Sequence, residues 1–235
     1  MNENPFGLNT ITKEHWDEVS IAPVGFFGTT PDPDNLLIVK DFVEKEDLKK
    51  IQEFYSTITK WIPTPEDAEM VYNDKGQVIY NPDFWRDRRT DLWQYPEIYD
   101  VVNKYVYKAR FLIEEHWAKR NRKMQISCRA PEFVCWREGT EQLPHADKQL
   151  NSGETGYFPT YDVAGTIYWN SCGEDYEGGE LFYPDFDLEF KTEAGSMYSH
   201  PGDLNYMHGV NPIISGERWA SPCFYKVEKI YDKGD

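Results

Sequence analysis

The sequence predicts an α+β protein in which N-terminal helices flank a C-terminal jelly roll. Apolar side chains recur at helical spacing in two segments that end before residue 121, which indicates helices with one buried face. Short strand-like segments separated by glycines and prolines then recur between residues 124 and 227, as is typical of a jelly roll. The 13 Phe, 16 Tyr and 8 Trp are enough large side chains to fill such an interior.

The length of 235 residues favours one domain with a core large enough to be stable without disulfides. We expect residues 1–123 to form an N-terminal arm and supporting helices, and residues 124–228 to form the jelly-roll core. The first 35 residues are rich in turns and predict an arm over this core.

The remaining elements follow from local patterns. We expect a short buried strand at residues 36–39, a helix from 44 to about 59, and a longer helix from 98 to about 120. Residues 60–84 predict a loop with a short hairpin at 73–76. The strands expected after the long helix cover residues 124–136, 163–170, 179–183, 187–191, 196–200, 204–210 and 220–227.

Charge and composition exclude several classes of function. The chain has 41 acidic and 25 basic side chains, a formal charge of −16, so its surface should repel nucleic acid and anionic membranes. No apolar run approaches the roughly 20 residues that cross a bilayer, and the N-terminus is too polar for a secretory signal. Cysteines at 128, 135, 172 and 223 include no CxxC pair, which favours reduced thiols. We therefore expect a soluble, cytoplasmic protein.

A candidate metal site begins at His145 and Asp147. Side chains at positions i and i+2 of an extended strand point the same way, so both residues can bind one ion if residues 141–148 form a strand end or tight turn. A third ligand must come from another strand, and His208 is the best candidate. Two imidazoles and one carboxylate can hold Fe(II) on one face and leave the opposite positions open.

Arg218, ten residues after His208, suggests a second function for the same cavity. If residues 207–212 and 219–225 are strands joined by a turn at 215–217, the guanidinium returns towards the metal site. A guanidinium can form a bidentate pair with a carboxylate. A dicarboxylate that chelates the metal at one end would supply that carboxylate at the other.

This pattern resembles the 2-oxoglutarate and Fe(II)-dependent oxygenases, and within them the prolyl-4-hydroxylase-like branch. The resemblance covers about a hundred residues in order. It includes FVCW at 133–136, the HxD of His145 and Asp147, TIYWN at 166–170, GGELF at 178–182, GSMY at 195–198, HGVNP at 208–212 and GER at 216–218.

The resemblance implies a double-stranded β-helix form of the jelly roll. It also implies Fe(II) bound by His145, Asp147 and His208, with 2-oxoglutarate and O2 as co-substrates and Arg218 on the distal carboxylate of 2-oxoglutarate. Tyr168 matches a tyrosine that assists there, whereas Trp136 stands where many relatives have tyrosine and is expected to be a packing wall. The implied reaction is hydroxylation of a C–H bond, with decarboxylation of 2-oxoglutarate to succinate. The Asp147 carboxylate favours hydroxylation over halogenation because it occupies the position that a halide would need.

Several alternatives remain open. The substrate can be a prolyl or other peptidyl residue, or a free amino acid or other small metabolite, and the oligomeric state is undetermined. A binding module without activity and a zinc hydrolase both fit part of the pattern, although the hydrolase leaves Arg218 without a purpose. His200 is the rival of His208, but it lacks the spacing to an arginine, and His15 and His116 lie outside the expected core. Residues 148–162, directly after the ligands, can form a mobile lid or an ordinary connection.

Overall fold

The computed structural model describes residues 20–23, 25–62, 71–72, 78–80, 87–128, 131–150, 152–156 and 158–231. The helices are α1 (Lys45–Tyr55) and α2 (Pro96–Ala118), with short 3-10 helices at Pro33–Asn35, Leu92–Gln94, Pro184–Phe186 and Leu204–Tyr206. The strands are β1 (Leu37–Val39), β2 (Val71–Tyr72), β3 (Val78–Tyr80), β4 (Arg89–Asp91), β5 (Met124–Cys128), β6 (Glu132–Arg137), β7 (Gln142–His145), β8 (Val163–Tyr168), β9 (Tyr176–Gly178), β10 (Leu181–Tyr183), β11 (Leu188–Phe190), β12 (Met197–Pro201), β13 (His208–Val210) and β14 (Ile213–Ile230). Residues 73–76, where a hairpin was expected, and His15 lie outside the described residues, but β2 and β3 on either side of 73–76 pair antiparallel as a hairpin requires.

Two antiparallel sheets form the expected jelly roll. The larger sheet has eight strands, in the order β1-β12-β8-β14-β6-β4, with β5 and β9 also paired to β14. The smaller sheet has four strands, in the order β11-β10-β13-β7, and β2 pairs with β3 apart from both. The smaller sheet therefore carries the first candidate ligand, at the end of β7, and the last, at the start of β13.

The long strand β14 corrects one expectation. A turn at residues 215–217 was predicted, but the chain stays extended from Ile213 to Ile230 and breaks earlier, between β13 and β14. Gly216 has φ +79°, and the pairing of β14 with β9 shifts register between Ile213 and Ser215. A glycine with positive φ can serve a bulge as well as a turn, so the strand continues through it.

Helix α2 confirms the long helix expected from residue 98 to about 120. Pro96 is its first residue, where a missing N–H costs no helical hydrogen bond. One face is buried by side chains at helical spacing, namely Ile98, Val102, Tyr105, Val106, Ala109, Ile113 and Trp117. The Tyr225 hydroxyl of β14 donates to the Val106 carbonyl of this helix at 3.0 Å, which joins the helix to the larger sheet.

The shorter helix α1 ends at Tyr55, earlier than expected. The next residues form a tight turn in which the Ile58 amide donates to the Tyr55 carbonyl. Among the described residues, none of the helices combines the length and the apolar character needed to cross a membrane. The four cysteines form no disulfide, as expected, although Cys128 and Cys135 lie on two different strands rather than one.

Candidate metal centre

The two candidate histidines face each other across a strand pair. His145 is the last residue of β7 and His208 the first of β13, and the antiparallel pairing sets them directly opposite. Their ring centroids are 4.5 Å apart. Asp147 Oδ1 lies 3.8 Å from His145 Nε2 and 3.9 Å from His208 Nε2, and one ligand atom of each residue lies within 4.8 Å of the other two. The structure thus brings together the three residues that the sequence spacing selected.

Backbone carbonyls orient both imidazoles. His145 Nδ1 is 3.0 Å from the Leu143 carbonyl oxygen, and His208 Nδ1 is 3.1 Å from the Tyr206 carbonyl oxygen. A carbonyl can only accept, so Nδ1 carries the proton in each ring and the lone pair is on Nε2, which faces Asp147. This is the usual arrangement of a metal-binding histidine whose other nitrogen is held by the protein.

The Asp147 carboxylate supplies the test of fit for a cation. Its Oδ2 atom is buried and has no hydrogen-bond partner among the described residues. A buried carboxylate oxygen without a donor is costly unless a cation neutralises it. Two neutral imidazole nitrogens and this carboxylate form a donor set that suits Fe(II) and leaves further coordination positions open.

The protonation of His208 agrees with a ligand role. Burial lowers its pKa well below the usual 6.5, and the neighbouring His145 lowers it further. The ring is therefore neutral at neutral pH, the form that binds a metal.

His200, the rival of His208, is close to the cluster but does not belong to it. It lies on β12, and its ring centroid is 4.1 Å from that of His208. Its Nδ1 is 3.0 Å from the Pro201 carbonyl oxygen. Burial, followed by electrostatic repulsion between this ring and His208 when both are protonated, lowers its pKa to about 3. The group of possible ligand atoms that meet includes His208 and excludes His200.

The metal-free protein should lose stability in mild acid because of these two histidines. Both folded-state pKa values are below the unfolded value of 6.5, so the unfolded chain binds more protons and the unfolding free energy falls as pH falls below about 6.5. For His200 the loss continues to about pH 3, at about 1.4 kcal/mol per pH unit. Urea unfolding between pH 5 and 8 measures it. In a His200→Phe variant the unfolding free energy should fall less steeply with decreasing pH. The same steepness in the variant and the wild type would contradict a lowered pKa of His200 in the folded protein.

Arg218 lies inside the jelly roll and has no acidic partner in the part of the chain that the structure describes. It is on β14, is 3% exposed, and its guanidinium carbon is 5.0 Å from the Tyr168 ring centroid and 5.3 Å from that of Trp136. Nη2 donates to the Tyr168 hydroxyl at 3.4 Å, while Nε is buried without a partner. No ion pair involves Arg218 in the described part of the chain. A guanidinium buried in this way is suited to bind an anion such as a carboxylate.

Two glycines allow a close approach of the chain before β10. Gly178 and Gly179 have φ of +75° and +70°, a region that disfavours other residues. A Cβ atom added at Gly178 would lie 2.1 Å from the Pro212 carbonyl oxygen, and one added at Gly179 would lie 2.3 Å from Ile213 Cδ1. The Gly-Gly pair therefore serves the turn of the chain and its contact with residues 212 and 213.

Sequence reasoning missed the tyrosines that line the same interior. Tyr183 on β10 and Tyr198 on β12 are buried with Tyr168 in one apolar cluster. The Tyr183 ring centroid lies 6.0 Å from that of His208. Alternation along the strand at residues 179–183 was a signal that Tyr183 shares a face with Leu181, but it could not show that this face points inward.

The segment after Asp147 is anchored at several points. The Lys148 side chain pairs with the buried Asp162 at 2.6 Å, and its amide donates to the Gly202 carbonyl at 2.8 Å. Asp162 also accepts from the Val227 amide at 2.8 Å. The ring of Tyr161 stacks on Phe224 with centroids 4.0 Å apart. These contacts fix both ends of the segment that was considered as a lid.

Comparisons with known proteins point to one group. No family model matches the chain. In sequence it is 45% identical over 62 residues to a PKHD-type hydroxylase of Pseudomonas fluorescens, a match that covers 26% of each chain. It is 34% identical over 94 residues to the PKHD-type hydroxylase PiuC of Pseudomonas aeruginosa, covering 39% of this chain and 40% of the relative. The matches thus span less than half the length of these curated relatives.

The solved structures extend the likeness to most of the chain. A viral collagen prolyl hydroxylase of Paramecium Bursaria Chlorella virus-1 superposes with a TM-score of 0.55 at 14% identity, over 83% of this chain and 98% of its own. A prolyl hydroxylase of Trichoplax adhaerens was solved in complex with a peptide fragment of the hypoxia inducible factor oxygen degradation domain. It superposes with a TM-score of 0.55 at 14% identity, over 83% of this chain and 85% of its own. An oxidoreductase of the 2OG-Fe(II) oxygenase family from Burkholderia pseudomallei superposes with a TM-score of 0.51 at 13% identity, over 83% of this chain and 86% of its own. The chain therefore resembles the PKHD-type hydroxylases in sequence and has the fold of the prolyl hydroxylases of the 2OG-Fe(II) oxygenase family.

Proposed function

We propose that this chain is an Fe(II)- and 2-oxoglutarate-dependent hydroxylase. One observation carries the proposal: His145, Asp147 and His208 meet in one group of ligand atoms, and the same jelly roll buries Arg218 without an acidic partner among the described residues. A metal site and an anion site in one interior suit a co-substrate with a chelating end and a remote carboxylate. The names of the sequence relatives and of the solved structures support the same chemistry.

In this proposal His145, Asp147 and His208 hold Fe(II). When bound, the metal supplies the oxidation of a C–H bond by O2, coupled to the conversion of 2-oxoglutarate to succinate and carbon dioxide. The Leu143 and Tyr206 carbonyls keep the proton of each imidazole on Nδ1, so that the lone pair that would bind the metal is on Nε2. The Gln142 side-chain amide donates to His145 Nε2 at 3.0 Å, a contact that the metal would replace. The Asp147 carboxylate fills the position that a halide would occupy, which favours hydroxylation.

Arg218 and Tyr168 bind the remote carboxylate of 2-oxoglutarate. The unpaired Nε of Arg218 can donate to one carboxylate oxygen, and a second guanidinium nitrogen can donate to the other. Burial raises the pKa of the Tyr168 phenol, although Arg218 acts in the opposite direction, so this hydroxyl is neutral and can donate as well. Water is excluded from this end because Tyr168 and Arg218 are both buried.

The proposed substrate is a prolyl or other peptidyl residue. The solved relatives that carry prolyl hydroxylase names, one of them with a bound peptide, support this substrate class. The side chain of His145 is 29% exposed, so the cluster is accessible from the surface on that side. Free amino acids and other small metabolites are the competing class, and the experiment below compares them directly.

Turnover should require 2-oxoglutarate, Fe(II) and oxygen together. Purified protein is loaded with Fe(II) under anaerobic conditions, mixed with 2-oxoglutarate and either proline-containing peptides or free proline, and then exposed to oxygen. We expect succinate and a product heavier by one oxygen atom, and neither when 2-oxoglutarate is omitted. Absence of both 2-oxoglutarate binding and succinate would refute the proposal, and oxygen-independent hydrolysis by the zinc-loaded protein would favour a hydrolase.

A further inference from the structure

Tyr183 packs beside the proposed metal ligands in the interior of the jelly roll. It is the last residue of β10, whose pairing with β13 sets Leu181 opposite Val210 and Phe182 opposite Gly209. The next position along this register places Tyr183 beside His208, with ring centroids 6.0 Å apart. Its ring also meets that of His200 at 5.6 Å in an edge-on arrangement. The side chain is 1% exposed.

Two phenylalanine rings also pack near Tyr183. Phe186 and Phe190 lie at centroid distances of 6.0 and 6.1 Å from it. Close packing of a buried ring restricts its side-chain rotation. The packing therefore limits the positions of the hydroxyl before any ligand binds.

Within the described part of the chain, the Tyr183 hydroxyl makes no hydrogen bond. Tyr183 is buried in one cluster with Tyr168, whose hydroxyl accepts from Arg218, and it also packs beside the proposed metal ligand His208. Burial raises the pKa of the Tyr183 phenol well above 10, so the group is neutral and keeps its proton. This phenol O–H can therefore donate to a ligand without giving up a hydrogen bond to another described residue.

We propose that Tyr183 is a co-substrate-binding residue whose hydroxyl donates a hydrogen bond to the keto acid held between the metal ligands and Arg218. The inference rests on the proposed function, because it assumes that a dicarboxylate extends from Asp147 to Arg218. A neutral phenol adds no second positive charge to a site that already contains Arg218. It adds one directional donor between the two ends of the ligand.

The Tyr183→Phe variant tests this inference because it removes one oxygen atom and preserves the ring packing. Calorimetry under anaerobic conditions measures 2-oxoglutarate binding to the Co(II)-loaded protein, and a separate titration measures Co(II) binding to the metal-free protein. Because a hydrogen bond to a charged group is lost, we expect 2-oxoglutarate to bind about 10- to 100-fold more weakly, with Co(II) affinity changed less than about twofold.

Tyr225→Phe is the matched control. It also removes one buried hydroxyl, but this hydroxyl donates to the Val106 carbonyl of α2. It should bind 2-oxoglutarate as the wild type does, and thermal unfolding checks that both variants are folded.

Three results would overturn the inference. If the wild type and Tyr183→Phe bind 2-oxoglutarate equally well, the hydroxyl does not contact the co-substrate and the proposed function is untouched. If Tyr183→Phe weakens Co(II) binding as much as 2-oxoglutarate binding, the hydroxyl positions Asp147 instead. If the wild type binds Co(II) but no 2-oxoglutarate, the proposed function fails and the inference fails with it.

Discussion

Replacing His208 with alanine is expected to abolish turnover and to weaken Fe(II) or Co(II) binding by more than about a hundredfold. Loss of a residue that only orients a metal ligand typically costs 10- to 100-fold in affinity, and His208 is proposed to be a ligand itself. Its Nε2 lies 3.9 Å from Asp147 Oδ1, so its removal takes one of the two nitrogens that face this carboxylate. Metal titration of the purified variant and succinate release measure the two effects.

His200→Phe is the control for this prediction. His200 is also a buried histidine, and its ring centroid is 4.1 Å from that of His208, so the two variants disturb adjacent positions. Phenylalanine keeps a ring of similar size and cannot bind a metal. We expect His200→Phe to retain metal binding. The opposite outcome, in which His200→Phe loses the metal and His208→Ala keeps it, would reassign the ligand.

The spacing of ligands was predictable from the sequence because it depends on local geometry. His145 and Asp147 are two residues apart at a strand end, and the period of an extended chain brings both side chains to one side. His208 could be chosen over His200 only from the pattern of residues that follows it. The structure agrees with that choice because β7 and β13 pair with His145 opposite His208.

The course of β14 was not predictable in the same way. A sequence with serine, glycine and glutamate at 215–217 favours a turn locally, yet this segment pairs with β9 and β6 and remains extended. Pairing with residues distant in the chain stabilises the extended form of this segment. Local sequence propensity does not include that contribution. Arg218 is nonetheless buried in the interior, because its place depends on the face of the strand rather than on the turn.

The tyrosine lining and the unpaired atoms also required the tertiary structure. Alternation cannot show which face of β10 points inward, so Tyr183 could not be distinguished from a surface residue. The lack of a partner for Arg218 Nε and for Asp147 Oδ2 is likewise a property of the packed interior. These unpaired atoms are the features that most directly support a metal and an anion as ligands.

Replacing Arg218 with methionine should lower 2-oxoglutarate affinity and raise the stability of the ligand-free protein at the same time. Methionine fills a similar volume without the charge, so the cost of a buried cation that lacks an acidic partner disappears, a gain of about 1–3 kcal/mol in unfolding free energy. The ligand carboxylate then loses its charged partner, at about 2–5 kcal/mol or roughly 30-fold to several thousandfold in affinity. Calorimetry and urea unfolding measure the two quantities.

Two further variants separate charge from geometry in this prediction. Arg218→Lys keeps the positive charge but lacks the planar fork, so its affinity for 2-oxoglutarate should lie between those of the wild type and the methionine variant. Arg137→Met removes an arginine whose side chain is 39% exposed and which pairs with Glu217 at 3.4 Å, and it should change neither quantity measurably. An Arg218→Met protein that is less stable than the wild type, or that binds 2-oxoglutarate as tightly, would mean that Arg218 supports the fold and does not bind the co-substrate. A buried cation without an anion lowers the stability of the ligand-free protein, and the same cation strengthens binding when the ligand supplies the anion. Only an arginine that binds the ligand therefore gives a variant that is more stable and also binds 2-oxoglutarate more weakly.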